Sequence, residues 1–368
     1  MKEIFQTREH LLHLQKGKPI NFLWSFERLR SSYVAGKCEA NALRFMCMNH
    51  VAQLSSLLGF SLSSIERLIN ESKYQQFKIV KRKGGYRTIS APNPILKKAQ
   101  SILNYYLQAC YYVLKPECSY GFVINPHPGI SKYNIVRNAE QHIGKKEILN
   151  IDIEDFFPSI STRKVYELFH SELFEFPEHL SRCLALLCTY QAQLPTGAPT
   201  SPVLSNLICM PMDLELEALA KEHECTYTRY ADDLSFSSEI TIVEGLEDKI
   251  YDVLAKYGFK SQKKKRRLQK YFQHQNVTGV VVNEKLNLKR DKIKKIRAML
   301  HDAQVNGLIA ASQKHYTDTN LNKQNMLALK FLHYLKAEVS YVKYVRGDDF
   351  LTQRFEQQLG LIQHHFVF

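Results

Sequence analysis

The stretch Tyr227-Thr228-Arg229-Tyr230-Ala231-Asp232-Asp233-Leu234-Ser235-Phe236 constrains the fold most. Tyr, Thr and Phe at nearly alternating positions predict two short strands, and the Asp pair falls where they must turn. Two carboxylates then stand on a hairpin tip with apolar strands behind them. Adjacent carboxylates repel, so in a partly buried site one gains a proton unless a cation sits between them. Mg²⁺ suits such oxygen-rich sites, because it takes one or two protein carboxylates and fills its other positions with waters and phosphates. A third acid is available at Asp152, after the strand-like run Glu147-Ile148-Leu149-Asn150-Ile151 and before Phe156-Phe157-Pro158. An Asp-Asp pair alone is ordinarily just a turn; the rest of the chain decides.

The chain has 368 residues, room for two or three subdomains, with 45% apolar and 23% charged residues. Its net charge of +14 favours a polyanionic partner. No apolar run approaches the ~20 residues of a membrane span, and the N-terminus lacks a signal-peptide core. Nucleic acid is therefore the expected partner, not a membrane, and the cytoplasm the expected compartment. Eight cysteines show no CxxC spacing, which predicts reduced, buried thiols rather than a zinc site.

Residues 1–75 read as a helical support region, with Trp24 in its core and a capping box at Ser63 and Glu66. Residues 78–92 read as a basic hairpin around Gly84-Gly85, where Lys81, Arg82, Lys83 and Arg87 crowd one loop. An anion such as a triphosphate or a nucleic-acid backbone eases such crowding. Residues 95–114 predict an amphipathic helix, and Asn138 and His142 a helix leading into the Asp152 strand. Phe157 stands next to the expected metal, where a ring crowds the 2′ position of an incoming nucleotide.

Leu194-Pro195-Thr196-Gly197-Ala198-Pro199-Thr200-Ser201-Pro202 is a rigid loop. Ser201 is placed to cap the following helix, which Pro211 should kink or end. Lys260 to Arg267 packs six cations into eight positions, one of them available to stabilise a leaving pyrophosphate. Asn276 to Asn283 predicts a strand pair. Asn287 to Val305 predicts a helix with Ile293, Ile296, Leu300 and Ala303 on one face and Lys289, Arg290, Lys292, Lys294, Lys295 and Arg297 over the rest.

This order of parts resembles the reverse transcriptases over roughly residues 75–300, through Tyr-x-Asp-Asp, the upstream Asp152 and Gly197-Ala198-Pro199-Thr200-Ser201-Pro202. Asn138-Ala139-x-x-His142 and Val277-Thr278-Gly279 resemble the bacterial retron branch in particular. The resemblance implies an α+β right-hand fold, divided into a helical extension (1–75), fingers with part of the palm (76–150), an antiparallel palm (151–285) and a helical thumb (286–368). It implies two Mg²⁺ ions, with Mn²⁺ as a substitute, held by Asp152, Asp232, Asp233 and the Ile153 carbonyl. One metal activates the attacking hydroxyl and the other binds the triphosphate, ~3.5–4 Å apart in such sites. Lys265, or its neighbour Lys264, matches the lysine near pyrophosphate.

Nucleotide contacts fall to Lys81, Lys83, Arg87, Phe157, Thr196 and Gly197. RNA contacts fall to Asn138, His142, Val277, Thr278, Gly279, Lys289, Arg290, Lys294 and Arg297. Thr196 departs from the Gln common in reverse transcriptases and alters contacts with nucleotide or template. The retron branch implies a cognate structured RNA, priming from its 2′-hydroxyl, a branched RNA–DNA product, dNTP substrates, an effector protein and phage defence. No RNase H constellation follows the thumb, so RNA removal falls to a host RNase H. The competing readings are a group II intron-like, diversity-generating or abortive-infection polymerase, and a non-catalytic RNA-binding scaffold.

Overall fold

The structure, a computed structural model, describes residues 2–15, 36–71, 74–81, 84–126, 132–317 and 324–365. Trp24, Arg82 and Lys83 lie outside the described residues. The chain opens with helices α1 (Lys2–Gln15), α2 (Lys37–Met46), α3 (Val51–Leu58) and α4 (Leu62–Asn70). Leu43, Phe45, Met46, Leu54, Leu57 and Leu58 are buried, as their helical spacing predicts. The cap of α4 is Ser61, whose hydroxyl accepts from the Ser64 N–H at 3.2 Å. Ser63 is already inside the helix, so the capping box expected at Ser63 and Glu66 does not form.

Strands β1 (Tyr74–Val80) and β2 (Tyr86–Pro92) pair antiparallel, Val80 opposite Tyr86 and Tyr74 opposite Pro92. Gly84 and Gly85 turn the hairpin at φ +86 and +79, a region glycine enters without a Cβ clash. Helix α5 (Pro94–Leu114) starts where Asn93 Oδ1 accepts from the Leu96 N–H at 2.9 Å, with Pro94 in the first turn. Then come α6 (Ile135–Glu140), β3 (Glu147–Asp152), α7 (Thr162–His170), α8 (Glu178–Cys188) and α9 (Ser201–Glu222).

Helix α9 corrects two expectations. Ser201 begins the helix rather than capping it, and its hydroxyl donates to the Pro195 carbonyl at 2.7 Å, tying down the Pro/Gly loop. Pro211 does not end the helix: only one backbone donor is lost, and Leu207, Met210, Met212 and Leu216 stay buried on either side.

Strands β4 (Thr226–Tyr230) and β5 (Asp233–Ser238) follow, then α10 (Leu246–Lys256), a 3₁₀ turn at Lys263–Lys265 and β6 (Arg267–Lys270). These strands form a four-stranded sheet in the order β4-β5-β3-β6. β7 (Asn276–Val277) and β8 (Val280–Val281) make a separate hairpin. Its turn is Thr278-Gly279, both left-handed at φ 50 and 88, the geometry that tight hairpins demand. Four helices close the described chain: α11 (Arg290–Val305), α12 (Leu308–Tyr316), α13 (Gln324–Arg346) and α14 (Phe350–His365).

The chain divides into two compact units. One comprises Met1–Asn134, Leu149–Phe236 and Ile242–Arg267, the other Ile135–Ile148, Ser237–Thr241 and Leu268–Phe368. In the first, Phe45 meets Phe174 and Phe176 edge-on at 5.8 and 5.5 Å, with all three rings out of water. In the second, Ile293, Ile296, Leu300, Phe331, Leu335, Val342 and Phe355 pack with Val277, Val280 and Val282. All eight cysteines are free and buried. Phe331 is 1% exposed at the centre of the second core. Phe331→Ala is expected to cost about 3–5 kcal/mol through the cavity it leaves, measured by urea unfolding.

Candidate active site

The sheet carries the acids where the sequence places them. β3 ends on Asp152, and the β4–β5 turn is Ala231-Asp232, with Asp233 opening β5. The Ile153 N–H donates to the Asp232 carbonyl at 2.9 Å, which locks the two carboxylate-bearing segments side by side. On the other flank the Gln262 N–H donates to the Asp152 carbonyl at 2.7 Å, and Ile153 bridges Ser261. Behind them Ser235 Oγ donates to Asn150 Oδ1 at 2.9 Å, out of water.

The electrostatics record how closely the acids crowd. Burial raises the Asp232 carboxyl above its ordinary range, and the Asp152 charge adds to it, against Lys265 and Arg87. Asp233 is pushed up to about 6 by burial, then by Asp232 and Asp152, with Arg267 and Lys265 opposing. Lys265 Nζ donates to Asp152 Oδ1 at 2.6 Å. The 3₁₀ turn aims that ammonium at the carboxylate, which distinguishes Lys265 from Lys264.

These hard oxygen donors fit a divalent cation in chemistry: the Asp152 charge makes Asp232 harder to ionise, both make Asp233 harder to ionise, and shared positive charge relieves that. Among the described residues no three His, Cys, Asp or Glu side chains converge as ligands. The Lys265 ammonium pairs with the Asp152 carboxylate. A bound cation would compete with that ammonium for Asp152.

A cleft of about 470 Å³ opens over these groups. Its walls bring together Lys81, Arg87, Asp152, Ile153, Phe157, Thr196, Asp232 and Lys265 from the residues expected by sequence. Phe157 lies 5.4 Å from Phe156 and 6.1 Å from Phe122, ring to ring. Gly197, at φ +135, plays a packing role: a Cβ there would stand 2.8 Å from the Ser90 carbonyl and 2.9 Å from Ile89. The Ser90 N–H donates to the Thr196 carbonyl at 2.8 Å, so hairpin and loop meet backbone to backbone.

Phe122, Tyr86, Gln262, Glu154 and Asp155 also line the cleft and were not picked out by sequence. Phe122 and Asp155 are left-handed, at φ 59 and 43; no side-chain pattern announces that. Gln262 lies within the basic run and could have been flagged by it.

The expected RNA contacts divide. Lys289, Arg290, Lys294, Arg297 and Gly279 are exposed, and Thr278 is half-buried. Asn138, His142 and Val277 are 1%, 0% and 0% exposed, so their expected role as direct RNA contacts is corrected: side chains that water does not reach do not touch a ligand. His142 is pushed down to about 3 by burial and Lys145, and is neutral; its Nδ1 shares a hydrogen bond with Ser237 Oγ at 2.7 Å. Thr278 Oγ1 donates to the Ile135 carbonyl at 3.5 Å. Helix α6 and the β7–β8 hairpin therefore meet within the second unit.

Asp233 keeps its proton up to about pH 6, whereas an unperturbed carboxyl loses it near 3.8. The folded chain thus binds more protons across that window, and stability falls as pH rises through it. Asp233→Asn is expected to raise the stability of the chelator-treated protein by about 2–3 kcal/mol at pH 8. The gain should vanish below about pH 4 in thermal unfolding.

Comparison with known proteins agrees with this geometry. The family model "Reverse transcriptase (RNA-dependent DNA polymerase)" matches residues 79–316. The Retron Ec86 reverse transcriptase of Escherichia coli is 34% identical over 261 residues, covering 69% of this chain and 78% of that protein. The Retron Mx65 reverse transcriptase of Myxococcus xanthus is 33% identical over 261 residues, covering 66% of this chain and 58% of that protein. The Retron Mx162 reverse transcriptase of the same organism is 29% identical over 337 residues, covering 80% and 66%. Among solved structures, telomerase from Candida albicans with a fragment of telomeric RNA aligns at a TM-score of 0.43 and 11% identity, over 79% of this chain and 63% of that one. With an α+β right-hand polymerase fold and RNA-directed DNA polymerase activity, this chain belongs to the bacterial retron reverse transcriptases.

Proposed function

We propose that the chain copies part of one cognate structured RNA into single-stranded DNA that remains joined to it, primed from a 2′-hydroxyl of that RNA. The observation that carries this reading is the cleft that Asp152, Asp232, Lys265, Arg87 and Phe157 line together. Divalent ions, Mg²⁺ with Mn²⁺ as a substitute, supply the Lewis acidity for phosphoryl transfer when bound. Asp152, Asp232 and Asp233, with the Ile153 carbonyl, are the groups that would hold them.

The chain's own residues do the rest. Lys81 and Arg87, on the hairpin, bind the triphosphate of a dNTP. Lys265 leaves Asp152 and donates to the departing pyrophosphate. The Phe157 ring, wedged against Phe122 and Phe156, occupies the space a ribose 2′-hydroxyl would need. Thr196 and the loop it starts lie under the nascent pair. The exposed cations of α11 grip an RNA stem by its backbone, where shape and 2′-hydroxyls are read.

In this reading residues 76–150 act as fingers, 151–285 as palm and 286–368 as thumb, with 1–75 as a helical extension. The cytoplasm is the compartment; among the described residues no helix is long and apolar enough to cross a membrane. A host RNase H trims the template, and an effector protein couples DNA synthesis to phage defence.

Incorporation of dNTPs on a primed RNA template tests the assignment. Asp232→Ala should abolish it while RNA affinity persists; full activity in that variant would sink the reading. Phe157→Ala should raise ribonucleotide incorporation relative to dNTP by roughly tenfold or more, read as the ratio of kcat/KM values. Lys294→Ala and Arg297→Ala should each flatten the salt dependence of RNA binding by about 0.7–0.9 in log–log slope; an unchanged slope removes α11 from the interface.

A further inference from the structure

The most completely enclosed charge in the first unit takes no part in the steps above. Among the described residues Arg229 is the largest fully buried side chain, and it and its partner Asp213 are both 0% exposed. Its guanidinium is spent as follows. Nε and Nη2 each donate to an Asp213 oxygen at 2.7 Å, the two-point geometry a carboxylate accepts best. Nη1 donates to Asn206 Oδ1 at 3.0 Å and to the Ala231 carbonyl at 3.1 Å.

The last contact gives the arrangement a purpose. Ala231 is the left-handed residue of the β4–β5 turn, at φ 59, a conformation a residue with a Cβ adopts only when its surroundings hold it. The Ala231 carbonyl belongs to the peptide plane that leads into Asp232, so fixing that oxygen fixes where the Asp232 side chain starts.

The surroundings are built to the same end. Asn206 and Asp213 lie seven residues apart, two turns along one face of α9. Asn206 Nδ2 donates to the Gly121 carbonyl at 2.8 Å. A Cβ on Gly121 would come within 2.5 Å of the Ala231 nitrogen, so the turn rests directly on that backbone. Tyr227 OH donates to Asp213 Oδ1 at 2.9 Å and Tyr111 OH to Ser119 Oγ at 2.7 Å, which leaves the network little freedom to rearrange.

A buried ion pair is weak evidence for stability, because apolar residues of similar volume often do as well. What apolar residues lack is a donor for the Ala231 oxygen. We propose that Arg229 is a positioning residue for DNA synthesis: braced by Asp213 and Asn206 on α9, it holds the Ala231-Asp232 peptide in the strained turn that presents the Asp232 carboxylate to the cleft. This rests on the reading of Asp232 given above.

The test uses the enzyme with its bound RNA and three variants: Arg229→Lys, the paired Arg229→Met/Asp213→Leu, and Arg229→Lys with Ala231→Gly. Lysine keeps the charge but cannot reach Asp213 and Ala231 together. The methionine–leucine pair keeps the volume without the donor. Both should lower kcat for single-nucleotide incorporation by roughly 10–100-fold through misplacement of the reacting groups, with KM for dNTP within about twofold. Mn²⁺ affinity, read by electron paramagnetic resonance without substrate, should weaken in parallel. Glycine at position 231 accepts the left-handed turn unaided and should restore part of the loss in the lysine variant.

Wild-type kcat and Mn²⁺ affinity in either folded variant would overturn the inference. So would a loss that follows only the unfolded fraction, with both quantities unchanged per folded molecule. If the paired variant does not fold, the lysine variant and its glycine rescue decide alone; no rescue, with Mn²⁺ affinity unchanged, overturns the proposal. Activity in Asp232→Ala would instead remove the assignment of Asp232, which separates the two failures.

Discussion

A guanidinium that no water reaches is the fixed point of the first unit. Burying a charge costs several kcal/mol, and the Arg229–Asp213 pair recovers that only because every donor finds an acceptor. To do so it draws three separate parts of the chain to one place: the middle of α9, strand β4, and the segment at Ser119, which bridges Arg229 in parallel. The sheet edge, the long helix and the catalytic turn are thereby set in register before any ligand arrives. The same guanidinium donates to the Ala231 carbonyl, one peptide away from Asp232.

Much of the site was legible because its signals are local. Alternating Tyr, Thr and Phe gave β4 and β5, and the Asp pair gave their turn. Gly84-Gly85 marked its hairpin because turn chemistry is written in a few adjacent residues, and the β-branched run from Asn276 to Asn283 marked the other strand pair. The apolar run before Asp152 gave the strand that delivers it.

The remainder was set by contacts between distant residues. Arg229 looks like a surface residue by type, and only Asp213 and Asn206 on another element make its burial affordable. The likeness to the retron branch implied RNA contacts at Asn138 and His142; His142 instead bonds Ser237, and both side chains are enclosed by packing from distant parts of the chain. Lys265 could be separated from Lys264 only by the phase of a 3₁₀ turn. Phe122 enters the cleft through a backbone conformation that its side chain does not advertise. Pro211 failed as a helix stop because tertiary packing on both sides outweighs one lost donor.

The enclosed thiols have a practical bearing. Cys38, Cys47, Cys188 and Cys209 are each pushed up to about 12, chiefly by burial, so almost no thiolate is present near neutrality. Maleimide dyes and spin labels, which react with thiolate, will pass these sites by. One cysteine introduced on the outer face of α11 would then be the preferred attachment point on an otherwise native chain, and the enzyme's movements on its template become accessible to single-molecule fluorescence without first stripping sulfur from its core.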